Sequence, residues 1–272
     1  MSRAEQLVAE DKKYFSKAGR VPYYQLVIDH AHGSTVWDVD GKEYLDMLSS
    51  AGALNTGHTH EKVVEAIINQ TKKMIHYTPA YMYHEPLVKL SKKLTEITPG
   101  TFAKKVIFGL SGSDANDALI KFARGYTGRQ NIISFINAYH GSTYGSLSMT
   151  PIAPNMRRKI GPLLPGMYQF PFGDVYRGMY GGSEPNTAEE VLAPIKQAFE
   201  SYLPADEVAA VVIEPIQGDG GILVPSKEFM QGLYALCKEH GLLFCVDEVQ
   251  QGMRRTGKWF SIEPFAIEPD FI

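Results

Sequence analysis

The chain has 272 residues, of which 44% are hydrophobic and 21% are charged, a balance that excludes a disordered or fibrous protein. Its 27 basic and 30 acidic residues give a formal charge of −3, which disfavours nucleic acid as the main partner. The two cysteines have no C-x-x-C spacing, so a zinc site and a disulfide framework are disfavoured and a reducing compartment is expected. No apolar run has signal-peptide or membrane-spanning character, so the sequence predicts a cytoplasmic protein without a membrane partner.

Residues 1–60 predict a small α+β segment that forms part of a small domain. Residues 4–17 have the pattern of a polar surface helix, and short apolar runs at 26–28 and 35–37 predict strands. A turn at Asp40-Gly41 leads from there into a further extended pair.

Residues 61–272 predict a large α/β domain that is incomplete at its carboxyl end. Helices are predicted from Glu61 onward, over 86–97, over 111–127 and over 226–240, and strands over 106–108, 131–136, 208–214 and 242–247. Continuous apolar strands that alternate with helices indicate a mostly parallel sheet flanked by helices on both faces. The segment 151–187, rich in Pro and Gly, is predicted to be a long excursion between sheet elements.

The chain ends at Asp270-Phe271-Ile272, on what the pattern predicts to be the first residues of another strand. A strand that stops after its first residues leaves its neighbour unpaired and the core unfinished. The sequence therefore predicts a fragment of a longer protein.

The functional side chains of an open α/β sheet collect where its strands end, so the residues after each predicted strand are the candidates. After 106–108 come Ser111, Gly112 and Ser113, at the start of a helix. Small residues and free backbone N–H groups there suit a phosphate, although N-capping by a serine explains the same pattern. Since Ser113 stands where G-x-S-x-G requires glycine, a serine hydrolase is disfavoured.

The ends of the later strands carry an aromatic ring, an imidazole and carboxylates. Tyr139 and His140 would stack on a flat cofactor or simply pack in the core. Glu214 and Asp219 flank a glycine-rich turn, where they would move protons, bind a cation or face solvent. Asp247 directly follows an apolar strand, where a carboxylate has to be paired, so it is the counter-ion of a buried cation or part of a structural salt bridge.

Two other patterns fall short of a known site. Residues 252–259 nearly form a phosphate-binding loop, but Trp259 replaces the hydroxyl that holds magnesium, which disfavours a nucleoside triphosphatase. The histidines, His58 and His60 among them, match no metal-ligand spacing, so no metal site is predicted.

A phosphate cradle, a stacking aromatic and a buried carboxylate at successive strand ends are together what pyridoxal 5'-phosphate (PLP) requires. From about Tyr24 onward the chain resembles the class III PLP-dependent aminotransferases of fold type I. The motifs that carry the resemblance are 38–41 (DVDG), 44–46 (YLD), 57–58 (GH), 111–117 (SGSDAND), 139–141 (YHG), 214–218 (EPIQG) and 247–250 (DEVQ).

The resemblance implies a contact with the cofactor for each central residue. Gly112 and Ser113 hold the phosphate, and Tyr139 stacks on the ring. Asp247 pairs with the pyridinium nitrogen and takes part in catalysis, while Gln250 approaches the phenolic oxygen.

Other implied residues support this site. Glu214 and His140 lie beside the cofactor, and Val249 belongs to the same cofactor-binding motif. Arg254 departs from the family pattern, which has glycine there. The resemblance places the Schiff-base lysine a few positions beyond Ile272, so this chain alone is expected to be inactive. It also implies a homodimer whose small-molecule substrates are an amino acid and a 2-oxo acid.

The resemblance leaves the reaction open between 4-aminobutyrate aminotransferases and isoleucine 2-epimerase-like enzymes. Residues 30–33, 76–81 and 218–221 resemble the epimerases, in which Asp219 is the candidate second base, whereas Gln250 is the usual aminotransferase residue. Transfer of an amino group from an amino acid or ω-amino acid to a 2-oxo acid is favoured, because it is the commoner activity of the family. If the natural product ended with this chain, a non-catalytic PLP-binding protein would be a further alternative.

Overall fold

The structure is a computed structural model that describes residues 1–18, 20, 22–178 and 187–272. The chain divides into two compact units, Met1–His84 and Glu85–Ile272. The division predicted at residue 60 concerns the domains of the complete protein, and it stays a prediction.

The amino-terminal unit combines helices with a small antiparallel sheet. Its elements are α1 (Arg3–Tyr14), β1 (Ile28–His32), β2 (Thr35–Asp38), β3 (Glu43–Leu45), α2 (Ser49–Gly52) and α3 (Glu61–Lys73), with the strands in the order β1-β2-β3. Helix α1 begins at a capping box, in which Ser2 and Glu5 each accept a hydrogen bond from the other's backbone N–H. The predicted α+β character is confirmed, although the first strand begins only at Ile28.

The carboxyl-terminal unit is built on a parallel sheet. Its helices are α4 (Glu85–Ile97), α5 (Gly112–Thr127), α6 (Tyr144–Ser148), α7 (Pro154–Arg157), α8 (Ala188–Phe199) and α9 (Lys227–His240). Its strands are β4 (Asn131–Phe135), β5 (Met167–Phe170), β6 (Val208–Ile213) and β7 (Leu243–Val246), in the parallel order β5-β4-β6-β7. The predicted α/β class is confirmed.

Helices cover both faces of this sheet. Every residue of β6 is buried, as expected for a central parallel strand with an uninterrupted apolar sequence. Successive residues of β4 point to opposite faces: Ile133 packs with residues of α8 and α9, and Ile132 packs with residues of α5. The carboxyl ends of the strands are therefore the edge at which loops can form a site.

Two segments of the fold differ from the predictions. The strand predicted over 106–108 is wrong: these residues are irregular and Ile107 is 65% exposed, because no strand of the described residues lies beside them to pair with. Within the predicted excursion the structure contains β5, whose sequence Met-Tyr-Gln-Phe includes a polar glutamine and forms no continuous apolar run. Residues 179–186 of that excursion lie outside the described residues.

The last residues of the chain pair with β7. The backbone N–H of Asp270 donates to the Phe244 carbonyl at 2.8 Å, and that of Val246 donates to the Phe271 carbonyl at 2.9 Å. Phe271 forms a parallel bridge with Cys245. The residues predicted to begin a further strand therefore pair with β7 through an isolated bridge.

Both cysteines lie in the core of the carboxyl-terminal unit. Cys237 and Cys245 are buried, and each is a free thiol in the structure. Among the residues that the structure describes, no helix is long and apolar enough to cross a bilayer. In the same residues, no three potential ligands are grouped as a metal ion would need.

Candidate active site

Three parallel strands end at one edge of the sheet and place polar side chains there. Tyr139 and His140 follow β4, Glu214 follows β6, and Asp247 follows β7. Helix α5 reaches the same place, because Asn116 contacts both His140 and Asp247. Candidates from distant parts of the sequence are thus brought together.

The start of α5 presents backbone donors. Ser111 is the N-cap, and its Oγ accepts a hydrogen bond from Asp114 N at 3.2 Å. The N–H groups of Gly112 and Ser113 have no acceptor among the described residues. The dipole of this 16-residue helix adds partial positive charge at the same point. The segment therefore suits an anion as well as being capped.

Asp247 is a buried carboxylate that accepts three hydrogen bonds. Its Oδ2 accepts from His140 Nδ1 at 2.8 Å and from Asn116 Nδ2 at 2.9 Å, and its Oδ1 accepts from Val249 N at 3.0 Å. Burial alone would raise the pKa of Asp247, but the hydrogen bond and charge of His140, with the other two donors, lower it below its ordinary value. The group is held ionised, and Oδ1 keeps room for a further N–H donor.

His140 is fixed by its neighbours on three sides. Its backbone N–H donates to Thr150 Oγ1 at 2.9 Å, and its carbonyl accepts from Asn116 Nδ2 at 2.9 Å. An ionised carboxylate only accepts, so the proton in the bond to Asp247 is on His140 Nδ1. The other ring nitrogen, Nε2, is buried without a partner in the part of the chain that the structure describes.

Glu214 joins the loop after β4 to the loop after β6. Its Oε1 accepts from Tyr139 N at 3.0 Å and its Oε2 accepts from Gly218 N at 2.9 Å. Burial raises the pKa of Glu214, against the charge of His140 and the two backbone donors. The carboxyl group thereby positions Tyr139, whose residue is 36% exposed and can contact a ligand.

A short chain of side-chain amides leads to Asp219. Gln251 Nε2 donates to Gln250 Oε1 at 3.1 Å, and Gln250 Nε2 donates to Asp219 Oδ1 at 3.1 Å. A Cβ atom at Gly218 would overlap Gln250 Oε1, so a side chain at this position would displace the Gln250 amide. Asp219 itself is exposed to solvent.

Val249 packs across the start of α5. A Cβ atom at Gly112 would lie 2.9 Å from both methyl carbons of Val249, closer than carbon atoms tolerate. Glycine at position 112 therefore lets the loop after β7 approach the helix.

Arg254 occupies the turn in which the family pattern has glycine. Its φ of 74° lies in the left-handed region, where a side chain is strained. The guanidinium lies over the ring of Trp259, 4.7 Å from its centroid. The turn thus forms with arginine, and a cation–π contact offsets part of the strain.

The sequence predicts no role for two residues of this site, Asn116 and Thr150. Asn116 lies one turn after Gly112, on the same helix face as the buried Leu119 and Ile120. A polar residue on an otherwise apolar helix face is the sequence signal that indicates a buried, hydrogen-bonded role for Asn116. Thr150 follows a short helix and carries no comparable signal.

Comparison with known families decides the membership. The profile described as aminotransferase class III matches residues 15–272. The chain belongs to the class III aminotransferase family. This confirms the resemblance that the motifs indicate.

Curated members of the class III family include both epimerases and aminotransferases similar to this chain. It is 55% identical to isoleucine 2-epimerase of Lentilactobacillus buchneri, covering 100% of this chain and 61% of that protein. It is 44% identical to leucine/methionine racemase of Thermococcus litoralis, covering 99% and 60%. It is 40% identical to 4-aminobutyrate aminotransferase GabT of Escherichia coli, covering 91% and 56%. The chain thus spans about three fifths of the length of these relatives.

Solved class III structures share the fold. Taurine:2-oxoglutarate aminotransferase from Bifidobacterium kashiwanohense, in complex with PLP and glutamate, matches with a TM-score of 0.89 at 31% identity. The match covers 100% of this chain and 61% of that chain. A thermostable (S)-enantioselective omega-transaminase from Thermomicrobium roseum matches with a TM-score of 0.88 at 30% identity, covering 100% and 63%. These matches confirm the predicted fold type I architecture.

Proposed function

We propose that the complete protein is a PLP-dependent class III enzyme that acts at the α-carbon of an amino acid. The observation that carries this proposal is the buried Asp247, held ionised by His140 and Asn116 at the end of β7. An ionised carboxylate beside a pyridine nitrogen favours the protonated form of that nitrogen. Similarity to the PLP-bound taurine aminotransferase supports the same cofactor.

The residues of the site fit PLP. The unpaired N–H groups of Gly112 and Ser113 supply donors for its phosphate. Oδ1 of Asp247 accepts one bond and has capacity for the ring N–H. Tyr139, positioned through its backbone by Glu214, offers an aromatic face to the ring.

Three residues of the site, Asp247, Gln250 and Asp219, each have a defined part in the proposed reaction. Bound PLP supplies an electron sink that lowers the energy of a carbanion at the substrate α-carbon. With PLP bound, Asp247 would keep the proton at the ring nitrogen, and Gln250 would orient the phenolic oxygen through its amide. Asp219, exposed beside Gln250, would give a proton to the α-carbon or take one from it.

We propose that the proton returns to the α-carbon, so that the enzyme is an amino-acid 2-epimerase for neutral aliphatic substrates. This is supported by identities of 55% to isoleucine 2-epimerase, 44% to leucine/methionine racemase and 39% to alanine/serine racemase. Transamination, favoured by the sequence, is the second candidate. Its support is the 40% identity to GabT and the presence of Gln250.

Isomer formation without an amino acceptor tests this proposal. The complete protein, loaded with PLP and given L-isoleucine in deuterium oxide without a 2-oxo acid, is expected to produce D-allo-isoleucine with deuterium at the α-carbon. Chiral chromatography with mass spectrometry measures both. In Asp219→Asn the rate of isomer formation is expected to fall about a hundredfold or more, since the variant lacks a proton-transfer group.

The other outcomes of this experiment distinguish the alternative functions. If no D-allo-isoleucine forms but the amino group moves to added 2-oxoglutarate, the enzyme is an aminotransferase. If neither product forms but PLP binds, the non-catalytic PLP-binding alternative holds. If PLP does not bind either, the protein has an unrelated activity. An Asp219→Asn variant as fast as the wild type would remove Asp219 from the mechanism.

The contact between Gly112 and Val249 gives a testable pair of variants. Gly112→Ala is expected to weaken PLP binding by about tenfold or more, because the new methyl group pushes Val249 away from the start of α5. Val249→Ala removes the colliding methyl groups, so the double variant is expected to recover most of the affinity. Equilibrium dialysis of the complete protein measures this. Equal affinity losses in the single Gly112→Ala and the double variant would contradict the contact.

We also propose that the complete protein is a homodimer. The amino-terminal unit exposes apolar side chains on α3: Val63 is 46%, Ile67 60% and Ile68 48% exposed. Such a face is typical of a surface that another polypeptide covers.

A further inference from the structure

Asn116 is a polar residue on the buried face of α5. It is 4% exposed and lies among Leu119, Ile120 and Ala123, which belong to the apolar core. A buried amide is costly unless its hydrogen-bonding groups find partners. A leucine of similar size would satisfy the packing of this stripe, so packing alone does not explain the asparagine.

Asn116 gives its amide group to two acceptors from two different strands. Nδ2 donates to the His140 carbonyl and to Asp247 Oδ2, each at 2.9 Å. His140 follows β4 and Asp247 follows β7, with β6 between these strands in the sheet. The side chain therefore fixes the loop of His140 and the carboxylate of Asp247 relative to the start of α5.

The two side-chain donors to Asp247 Oδ2 differ in their chemistry. The Asn116 amide has no proton that titrates near neutral pH, whereas the other donor, His140 Nδ1, belongs to an imidazole ring. Asn116 therefore supplies a donor of constant strength. A donor that bonds to the ionised carboxylate favours that form and makes it a weaker base.

We propose that Asn116 is a positioning residue that sets how strongly Asp247 competes with the ring nitrogen for their shared proton. The inference rests on the proposed PLP function. Without the amide donor, the carboxylate is more basic and the proton moves from the ring nitrogen toward Asp247.

The position of that proton can be observed directly. The complete protein is loaded with PLP carrying ¹⁵N in its ring, and the ¹⁵N chemical shift distinguishes the protonated from the neutral ring nitrogen. Three variants are compared with the wild type: Asn116→Leu, which keeps the volume; Asn116→Ala, which folds where leucine does not fit; and Thr127→Val. The last is the matched control, because it removes a side-chain hydrogen bond of the same helix, from Thr127 Oγ1 to the Ala123 carbonyl, at the end away from Asp247.

Both Asn116 variants are expected to shift the ring-nitrogen signal toward the neutral form, and Thr127→Val is expected to retain the wild-type signal. The kcat of the two Asn116 variants is expected to fall about tenfold with less change in KM, the loss typical of one hydrogen bond to a charged group. Wild-type signals in both Asn116 variants, or an equal shift in all three variants, would overturn the inference while PLP binding stands. A wild-type protein that binds no PLP would overturn the proposed function, and this inference with it.

Discussion

Asp247→Asn is expected to bind PLP but to lower kcat roughly a hundredfold to a thousandfold, the usual loss when one preorganised electrostatic group is removed. The amide has the size of the carboxylate, and its oxygen still accepts a hydrogen bond. It is neutral, however, so it does not hold a proton on the ring nitrogen. Steady-state kinetics and the absorbance of bound PLP, both on the complete protein, separate the loss of rate from the loss of cofactor.

Glu248→Gln is the matched control for this variant. Glu248 is the next residue in the chain, and among the described residues its carboxylate accepts hydrogen bonds from Ser261 and Ile262, away from the site. Its kcat is expected to equal that of the wild type within the error of the assay. Turnover of Asp247→Asn near the wild-type rate would contradict the role of Asp247.

The lowered pKa of Asp247 also gives the sign of a pH effect on stability. A carboxyl group whose pKa is lower in the folded than in the unfolded state stabilises the fold above its unfolded value, about 4, and this contribution is lost as the pH falls through the folded pKa. The stability advantage of wild type over Asp247→Asn, measured by denaturant unfolding without PLP, is therefore expected to shrink between neutral pH and pH 3. An advantage that grows toward acid would contradict this.

Gly141→Ala is expected to destabilise the protein by about 3 kcal/mol, from overpacking and backbone strain together. Gly141 has a φ of 132°, which a side chain rarely adopts. A Cβ atom there would overlap Ser113 Oγ and lie 2.6 Å from Ser146 Oγ and 2.8 Å from Ser113 Cα. The new methyl group would thus push apart the loop after His140 and the start of α5, so PLP affinity is expected to fall as well.

Gly128→Ala is the control for backbone strain alone. Gly128 ends α5 with a φ of 70°, and no atom lies within 4 Å of its Cβ position. Its expected loss is only about 1 kcal/mol, and PLP affinity is expected to stay unchanged. The free energies of unfolding and the PLP dissociation constants of both variants measure the difference. Equal losses of stability in the two variants would show that the close packing at Gly141 is not what matters.

The parallel sheet could be predicted because its signals are local. The apolar run of β6 is long and uninterrupted, and α5 and α9 each begin after a serine and end before a glycine, as capped helices do. Such features need no knowledge of distant contacts.

The predictions of secondary structure fail where contacts between distant residues determine which segments form strands. Residues 106–108 are as apolar as a strand but have no partner strand among the described residues, so composition alone misleads. Strand β5 is weak in composition and exists because β4 pairs with it. Helix α8 is not among the predicted helices, although it carries a local signal, the capping box of Thr187 and Glu190.

The candidate site, like the fold, combines residues that have a local sequence signal with residues that only contacts between distant elements bring together. Asp247 could be singled out because a carboxylate directly after a buried strand is costly without a partner. The identity of its partners could not be predicted, since Asn116 and His140 come from different elements. Only the sheet order, which places β4 and β7 on either side of β6, brings them together.

A crystal structure of the complete protein with PLP tests the central claim most directly. The ring nitrogen is expected within hydrogen-bonding distance of Asp247 Oδ1, about 2.7–3.2 Å. The phosphate is expected to accept from the N–H groups of Gly112 and Ser113. A cofactor bound elsewhere, with Asp247 still contacted only by His140, Asn116 and Val249, would contradict the account.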